Sequence, residues 1–213
     1  MSLTSGKNGY FKWKDKRAEI VAGMKLPEAW WSRPYEYAWA LQYAGPSQVV
    51  ADMGTGWMYR PFKEALSEIC GFVYAVDLDV RLLSQTPADN MQMIVASFTQ
   101  PIKQIPAGTL DRIFCISVLE DMGDMIGDAI EEFARLLHPN GRMILTFDAQ
   151  YDMEKPLGQY PGVKLDKFLK ALDDNHLLIE GDLLLDKTDA VYHEQFNLCC
   201  LHVVVKHGKT DSN

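Results

Sequence analysis

The feature that most constrains the fold is a regular alternation of short apolar runs with helix-period segments, beginning at residue 48. Such alternation is typical of a doubly wound α/β protein, in which right-handed crossovers join parallel strands and helices cover both faces of the sheet. The last apolar run follows residues 179–185 without an intervening helix, so we expect it to pair antiparallel. The predicted strands are 48–54, 72–79, 91–97, 112–118, 141–149 and 197–208.

Three helices are predicted from apolar residues that recur with the helical period. The first begins near Arg60, with Pro61 in its first turn, where a missing N–H costs little. The second keeps its period from Met122 to Leu137 and is followed by HPNG, a sequence that typically ends a helix. The third covers about 165–172.

The chain is predicted to hold one domain with two flanking segments. Residues 1–47 are read as a helical N-terminal cap or lid, 48–208 as the α/β domain and 209–213 as a frayed tail.

Four of the five tryptophans lie in the N-terminal segment. Their rings either pack as a helical layer on the edge of the sheet or wall a substrate pocket as a lid. The pocket interpretation is kept for Trp30, Trp31 and Tyr35, which surround the helix-breaking Pro34.

Charge and cysteine usage restrict the class of partner and the compartment. The formal net charge is −8 and no dense Lys/Arg run occurs, which argues against nucleic acid or an anionic membrane as the partner. The four cysteines lack metal-type spacing, so we expect no metal site and buried free thiols in a reducing compartment. No apolar run of 18 residues occurs, and we expect a cytoplasmic protein.

Polar residues and glycines follow three of the predicted strands, at the edge of the sheet where ligands bind in such folds. Gly54 and Gly56 follow Asp52, but a dinucleotide fingerprint would place a third glycine at position 59, where the chain has Tyr59. Asp77 ends the second strand, where one carboxylate can accept both ribose hydroxyls.

These segments together resemble the class I S-adenosylmethionine-dependent methyltransferases over residues 48–207. VVADMGTG resembles the first motif of the family, with Met58 in place of its third glycine, and VYAVDLD resembles the second. The resemblance implies a seven-stranded sheet with an antiparallel last strand and S-adenosylmethionine as cofactor. It places Asp77 on the ribose, Leu78 on one face of the adenine, and Ser97 and Phe98 at the adenine rim. The cofactor-binding set that it implies is Asp52, Gly54, Thr55, Gly56, Asp77, Leu78, Ser97, Phe98 and Ser117.

The shortened glycine run favours this cofactor over NAD, because S-adenosylmethionine has no pyrophosphate for the loop to cradle. Its methyl group is already activated, so transfer depends mainly on alignment and desolvation, with a base where the acceptor needs one. The candidate bases are Glu120, Asp121, Asp148 and Tyr151, and for each a helix cap or solvated loop is an equal alternative. His193 is a weaker candidate.

The leading hypothesis is methyl transfer to a small-molecule acceptor, without nucleic acid or membrane as partner. The alternative is a non-catalytic S-adenosylmethionine-binding or scaffold module of the same fold. Its support is that Met58, Ser97 and Asp121 depart from the family motifs. An NAD-dependent oxidoreductase is a third and more distant interpretation.

Overall fold

A computed structural model of the chain describes residues 7–58, 61–156 and 162–208. Within these ranges, four α-helices accompany the strands: α1 (Arg33–Ala40), α2 (Pro61–Ile69), α3 (Ile126–Leu136) and α4 (Leu165–Asp174). The strands are β1 (Lys7–Tyr10), β2 (Ile20–Val21), β3 (Met24–Lys25), β4 (Val49–Met53), β5 (Phe72–Asp77), β6 (Met91–Val95), β7 (Leu110–Ile116), β8 (Leu137–Gln150), β9 (Leu177–Ile179), β10 (Asp182–Leu184), β11 (Tyr192–His193) and β12 (Leu198–His207).

The fold is α/β, and its main sheet is mostly parallel, with the strand order β10-β1-β12-β8-β7-β4-β5-β6. Five neighbouring strands pair parallel, in the spatial order β6, β5, β4, β7 and β8. β12 pairs antiparallel with β8, as predicted. The chain runs from β4 outward to β6 and then returns to place β7 on the other side of β4. The strand order therefore reverses between β4 and β7, which is where sheets of this kind bind ligands.

The strand count differs from the seven that the family resemblance implied. The main sheet has ten strands, because β9 and β11 also pair with β12, and β1 joins β12 to β10. The additional pairings all lie on the β12 side of the sheet, away from the reversal point.

Helices cover both faces, and each face has its own apolar core. Phe62 and Leu66 of α2 pack with Tyr37 of α1 against β4 and β5. On the opposite face, Phe133 of α3 and Phe168 of α4 pack against β7, β8 and β12. The predicted helices are therefore present, but the start near Arg60 lies outside the described residues.

Two predicted boundaries of the second helix are wrong. α3 begins at Ile126 rather than Met122, because Gly123 has φ 55° and interrupts a preceding 3-10 segment. HPNG does not form a turn after the helix but lies inside β8, where the pairing with β7 shifts register. A side chain at Gly141 would come within 2.8 Å of the Leu110 carbonyl oxygen, so this irregular pairing requires glycine.

The N-terminal segment is helical only in part. Its helical portion is α1 with the 3-10 turn Leu41–Tyr43, whereas β1 belongs to the main sheet and β2 pairs with β3. The prediction of a helical cap is wrong for residues 7–25, and the predicted tail 209–213 lies outside the described residues.

The four cysteines are buried and unpaired, as predicted. None of the helices in the described ranges is long and apolar enough to cross a membrane.

Candidate cofactor and acceptor site

Gly54 and Gly56 form a left-handed loop directly after β4. Their φ angles are 80° and 69°, which disfavour any residue with a side chain. A Cβ on Gly54 would lie 2.8 Å from Val118 Cγ1 and closer still to Cγ2, whereas one on Gly56 would meet nothing within 4 Å. Gly54 is therefore required by packing against the loop after β7, and Gly56 leaves open space beside bare backbone.

Asp52 stabilises the glycine loop by a hydrogen bond with Thr55. Its carboxylate accepts a hydrogen bond from Thr55 Oγ1 at 2.6 Å and is 4 % exposed. Burial raises the pKa of Asp52 to about 6, although the Thr55 hydrogen bond and the charge of Lys63 act in the opposite direction. Asp52 and Thr55 therefore shape the predicted loop from inside the protein.

Lys63 is a loop-supporting residue that the sequence reasoning missed. It lies in the first turn of α2, is completely buried, and donates from Nζ to the Gly56 carbonyl at 2.7 Å. A lysine between Phe62 and Ala65 on an otherwise apolar helix face was the available signal, since buried lysines almost always have partners.

Asp77 joins the glycine loop to the loop after β5. One carboxylate oxygen accepts from the Gly56 N–H at 2.8 Å and the other from the Asp79 N–H at 2.9 Å. Each oxygen retains a lone pair for a ribose hydroxyl. Leu78 is 62 % exposed, as a residue that lines an adenine should be before the ligand is bound.

The two residues predicted at the adenine rim, Ser97 and Phe98, have surroundings that differ from that prediction. Ser97 faces its own loop, because its Oγ lies 2.7 Å from Thr99 Oγ1. Phe98 is 4 % exposed and packs on Phe133 of α3, with ring centroids 5.4 Å apart. The rim assignment of Phe98 is therefore corrected to a core position.

Ser117 is also placed differently from the prediction. It has φ 45° and is buried, and its Oγ donates to Glu36 Oε2 at 2.7 Å rather than facing the glycine loop. Arg33 donates to the Ser117 carbonyl at 3.2 Å and pairs with Glu36 at 3.0 Å. The end of β7 is thus attached to α1, and a cofactor contact of Ser117 stays a prediction.

Glu36 anchors this contact as a carboxylate. Burial alone would raise its pKa, but the Arg33 guanidinium and the hydrogen bonds from Thr146 and Ser117 outweigh burial and lower it. Neither Arg33 nor Glu36 was predicted, since their partners lie far away in the sequence; the charged pair three residues apart in an aromatic segment was the only signal.

Glu120 and Asp148, two of the candidate bases, lie near this anchor. Burial and the charge of Asp148 raise the pKa of Glu120 well above its usual range. Burial and the charge of Glu36 raise the pKa of Asp148 to about 7. Each carboxyl group has one buried oxygen without a hydrogen-bond partner among the described residues. Asp148, whose pKa is raised to about 7, is therefore suited to accept a proton near neutral pH.

The other two candidate bases have ordinary surroundings. Asp121 is exposed, and its backbone N–H bonds to the Val118 carbonyl in a turn. Tyr151 stacks on Tyr192 with ring centroids 4.7 Å apart. Both lie on the loops after β7 and β8, as expected, but neither has a buried side-chain oxygen without a partner among the described residues, as Glu120 and Asp148 do.

The three aromatic residues predicted for a pocket separate into two groups. Tyr35 is 3 % exposed and packs with Phe11 in a buried cluster, so its pocket assignment is corrected to a core position. Trp30 and Trp31 are partly exposed. Trp31 lies against His193, with ring centroids 5.8 Å apart, and the lid remains a prediction for these two residues.

Comparison with known proteins agrees with this geometry. Residues 51–145, from β4 into β8, match a family described as a methyltransferase domain. No curated protein sequence matches the chain.

Several solved structures share the fold at low sequence identity. The cyclase SpnF has a TM-score of 0.66 at 11 % identity, covering 95 % of this chain and 88 % of that one. The Burkholderia thailandensis 1,6-didemethyltoxoflavin-N1-methyltransferase, bound to 1,6-didemethyltoxoflavin and S-adenosylhomocysteine, has a TM-score of 0.59 at 18 % identity, covering 85 % and 80 %. The Streptomyces coelicolor A3(2) geranyl diphosphate C-methyltransferase, bound to Mg²⁺, geranyl diphosphate and S-adenosyl-L-homocysteine, has 0.60 at 13 %, covering 82 % and 79 %. At these identities the likeness shows the fold alone.

The residues present suit S-adenosylmethionine. Gly56 leaves bare backbone and open space, Asp77 has carboxylate lone pairs beside it, and Leu78 is an exposed apolar side chain on the next loop. Residues 51–145 therefore match a methyltransferase domain, and the residues around its glycine loop suit S-adenosylmethionine as the cofactor.

Proposed function

We propose that the protein transfers a methyl group from S-adenosylmethionine to a small-molecule acceptor. The acceptor would lie between the loops that follow β7 and β8. When bound, the cofactor supplies a methyl group already activated by its sulfonium. The glycine loop and Asp77 orient the cofactor, and Glu120 or Asp148 accepts a proton where the acceptor has one to lose.

The observation that carries this proposal is a small cavity beside the half-buried candidate base Glu120. The cavity has a volume of about 330 Å³ and is lined by residues that include Leu119, Glu120 and Val163. Such a volume is typical of sites for small molecules. The contacts of Arg33 and Glu36 with Ser117 close α1 onto the neighbouring strand end, which supports an acceptor of limited size.

We further propose that the protein works in the cytoplasm. The four buried, unpaired thiols support a reducing compartment.

The proposal is tested by measuring release of S-adenosylhomocysteine with a panel of small acceptors. Glu120→Gln or Asp148→Asn should lower turnover roughly 10²–10⁴-fold and leave cofactor affinity unchanged. Asp128→Asn removes an exposed carboxylate on α3 and serves as the matched control, with turnover near that of the wild type.

Tight cofactor binding without methylation of any acceptor would refute methyl transfer. The fold would then serve a non-catalytic role, or another activity, as the name of the cyclase SpnF illustrates for a structure of similar fold. Methylation of a protein partner would refute only the small-molecule half of the proposal.

A further inference from the structure

Five buried side-chain polar atoms have no hydrogen-bond partner among the described residues, and three of them lie on the loop after β7, on β8 and on β11. These three are Glu120 Oε2, Asp148 Oδ1 and Nδ1 of His193. A buried acceptor without a donor is costly, so such atoms are uncommon in folded proteins and often face a ligand. Carboxylate oxygens accept hydrogen bonds when ionised, and a ligand that satisfies them must therefore bring N–H or O–H donors.

The charges around these atoms are unbalanced. Glu36, Glu120 and Asp148 influence one another electrostatically, and Arg33 is the cation that acts on all three. Arg33 already pairs with Glu36 at 3.0 Å and donates to the Ser117 carbonyl. Glu120 and Asp148 therefore share a buried setting that an additional positive charge would stabilise.

Aromatic rings lie on the same side of the sheet. Asp148 is paired with Cys200 in the β8–β12 ladder, so both side chains point to one face. Cys200 belongs to a buried cluster against which Trp31 packs, and the Trp31 ring also contacts His193. Aromatic faces attract organic cations, and buried carboxylates beside such rings are a common arrangement for binding them.

A metal ion is a poor occupant for the same position. Within the described ranges, no group of three or more histidine, cysteine or acidic side chains is arranged to hold a metal. An anionic acceptor has no N–H or O–H to donate to the unpartnered oxygens of Glu120 and Asp148.

We propose that the acceptor site takes an organic ammonium ion, whose N–H groups donate to Glu120 and Asp148 while its apolar part lies against Trp31. This inference rests on the proposed function, since it names the class of its acceptor. Binding of an ammonium ion should lower the pKa of both carboxyl groups and release protons near neutral pH. The charged or titratable groups that also act on this pair or lie beside it are Arg33, Glu36, Cys115, Asp121, Cys199 and Cys200. Asp124, Lys164 and Lys167 line the cavity together with Glu120, and Lys167 pairs with Asp124.

The test is calorimetry on the protein saturated with S-adenosylhomocysteine, using three probes of similar shape. These are 2-phenylethylammonium, 2-phenylethanol and 3-phenylpropanoate, with methylammonium and tetramethylammonium as smaller cations and MgCl₂ as the metal arm. We expect ammonium binding roughly 10- to 100-fold tighter than alcohol binding, and proton release detected by comparing buffers of different ionisation enthalpy.

Variants then locate the site. Glu120→Gln and Asp148→Asn should each weaken ammonium binding about tenfold or more and leave the alcohol unaffected, whereas Asp128→Asn should change neither. The comparison of probes on the wild type stands even if a variant does not fold.

Three results would overturn the inference: equal binding of the alcohol, preference for the anion or Mg²⁺, or no ammonium binding up to millimolar concentrations. A fourth is that the variants weaken S-adenosylmethionine relative to S-adenosylhomocysteine while ammonium binding persists, which would assign the carboxylates to the sulfonium. Failure of the proposed function looks different, because ammonium would bind and never be methylated.

Discussion

Gly54→Ala should destabilise the protein more than Gly56→Ala, although both glycines have positive φ. The two positions differ in their surroundings, because a Cβ on Gly54 overlaps the methyl groups of Val118 and one on Gly56 meets open space. The left-handed conformation costs an alanine about 1–2 kcal/mol at either position. Forced overlap in a packed site adds about 1–3 kcal/mol. The expected losses in free energy of unfolding are therefore about 2–5 kcal/mol for Gly54→Ala and about 1–2 kcal/mol for Gly56→Ala.

Urea denaturation without cofactor measures these losses, and calorimetry with S-adenosylhomocysteine measures the effect on binding. Gly56→Ala should weaken binding despite its milder destabilisation, because its methyl group enters the space left for the cofactor. Adding Val118→Ala to Gly54→Ala removes the overlapping methyl groups, so a double-mutant cycle should give a favourable coupling of about 1–3 kcal/mol. Equal destabilisation by the two alanines, or zero coupling with Val118, would refute the reasoning.

Three further outcomes are expected. Lys63→Met keeps the aliphatic stem but loses the hydrogen bond to the Gly56 carbonyl, so the affinity for S-adenosylhomocysteine measured by calorimetry should fall about tenfold. The control Lys103→Met, at an exposed position, should leave this affinity unchanged. The pKa of Asp148 is raised to about 7 in the folded state, so the free energy of unfolding should decline as the pH rises from about 4 to 7. In urea denaturation, Asp148→Asn should be as stable as the wild type at the acidic end of this range and more stable above pH 7. Parallel curves of stability against pH for the two proteins would contradict this. Trp31→Ala should raise the acceptor KM with little loss of stability in a steady-state assay, whereas the buried Tyr35→Ala should cost about 3–5 kcal/mol of unfolding free energy; the reverse pattern would contradict the lid.

The fold was predictable because its determinants are local. Strand and helix periods, the glycines after β4 and the aspartate after β5 are each contained in a few neighbouring residues. The helix start after Gly123 was missed because the apolar period continues through this glycine although its positive φ interrupts the helix. The irregular pairing at Gly141 was missed because it depends on the close approach of Leu110.

The candidate site was less predictable because the roles of its side chains are set by distant partners. The hydrogen bond from Ser117 to Glu36 spans 81 residues of sequence, and the one from Thr146 to Glu36 spans 110. No local sequence pattern shows whether Phe98 lies in the core or at the adenine rim, because its position depends on packing against Phe133 of α3. Glu120 and Asp148 were identified as candidates from their positions after strands, but their burial was not readable from the sequence.

The pairing of β1 with β12 has a consequence for synthesis on the ribosome. Gly9 lies opposite His202, so β1 has no sheet neighbour on that side until the residues up to His202 have been made. The strands β4 to β7, with the glycine loop, are complete much earlier and form a contiguous unit that can assemble as it emerges. Arg33 and Glu36, although translated early, must wait for β7 and β8 before they can dock. The glycine loop proposed to hold the cofactor can therefore form early in translation. The contacts of Arg33 and Glu36 beside the proposed acceptor position form later.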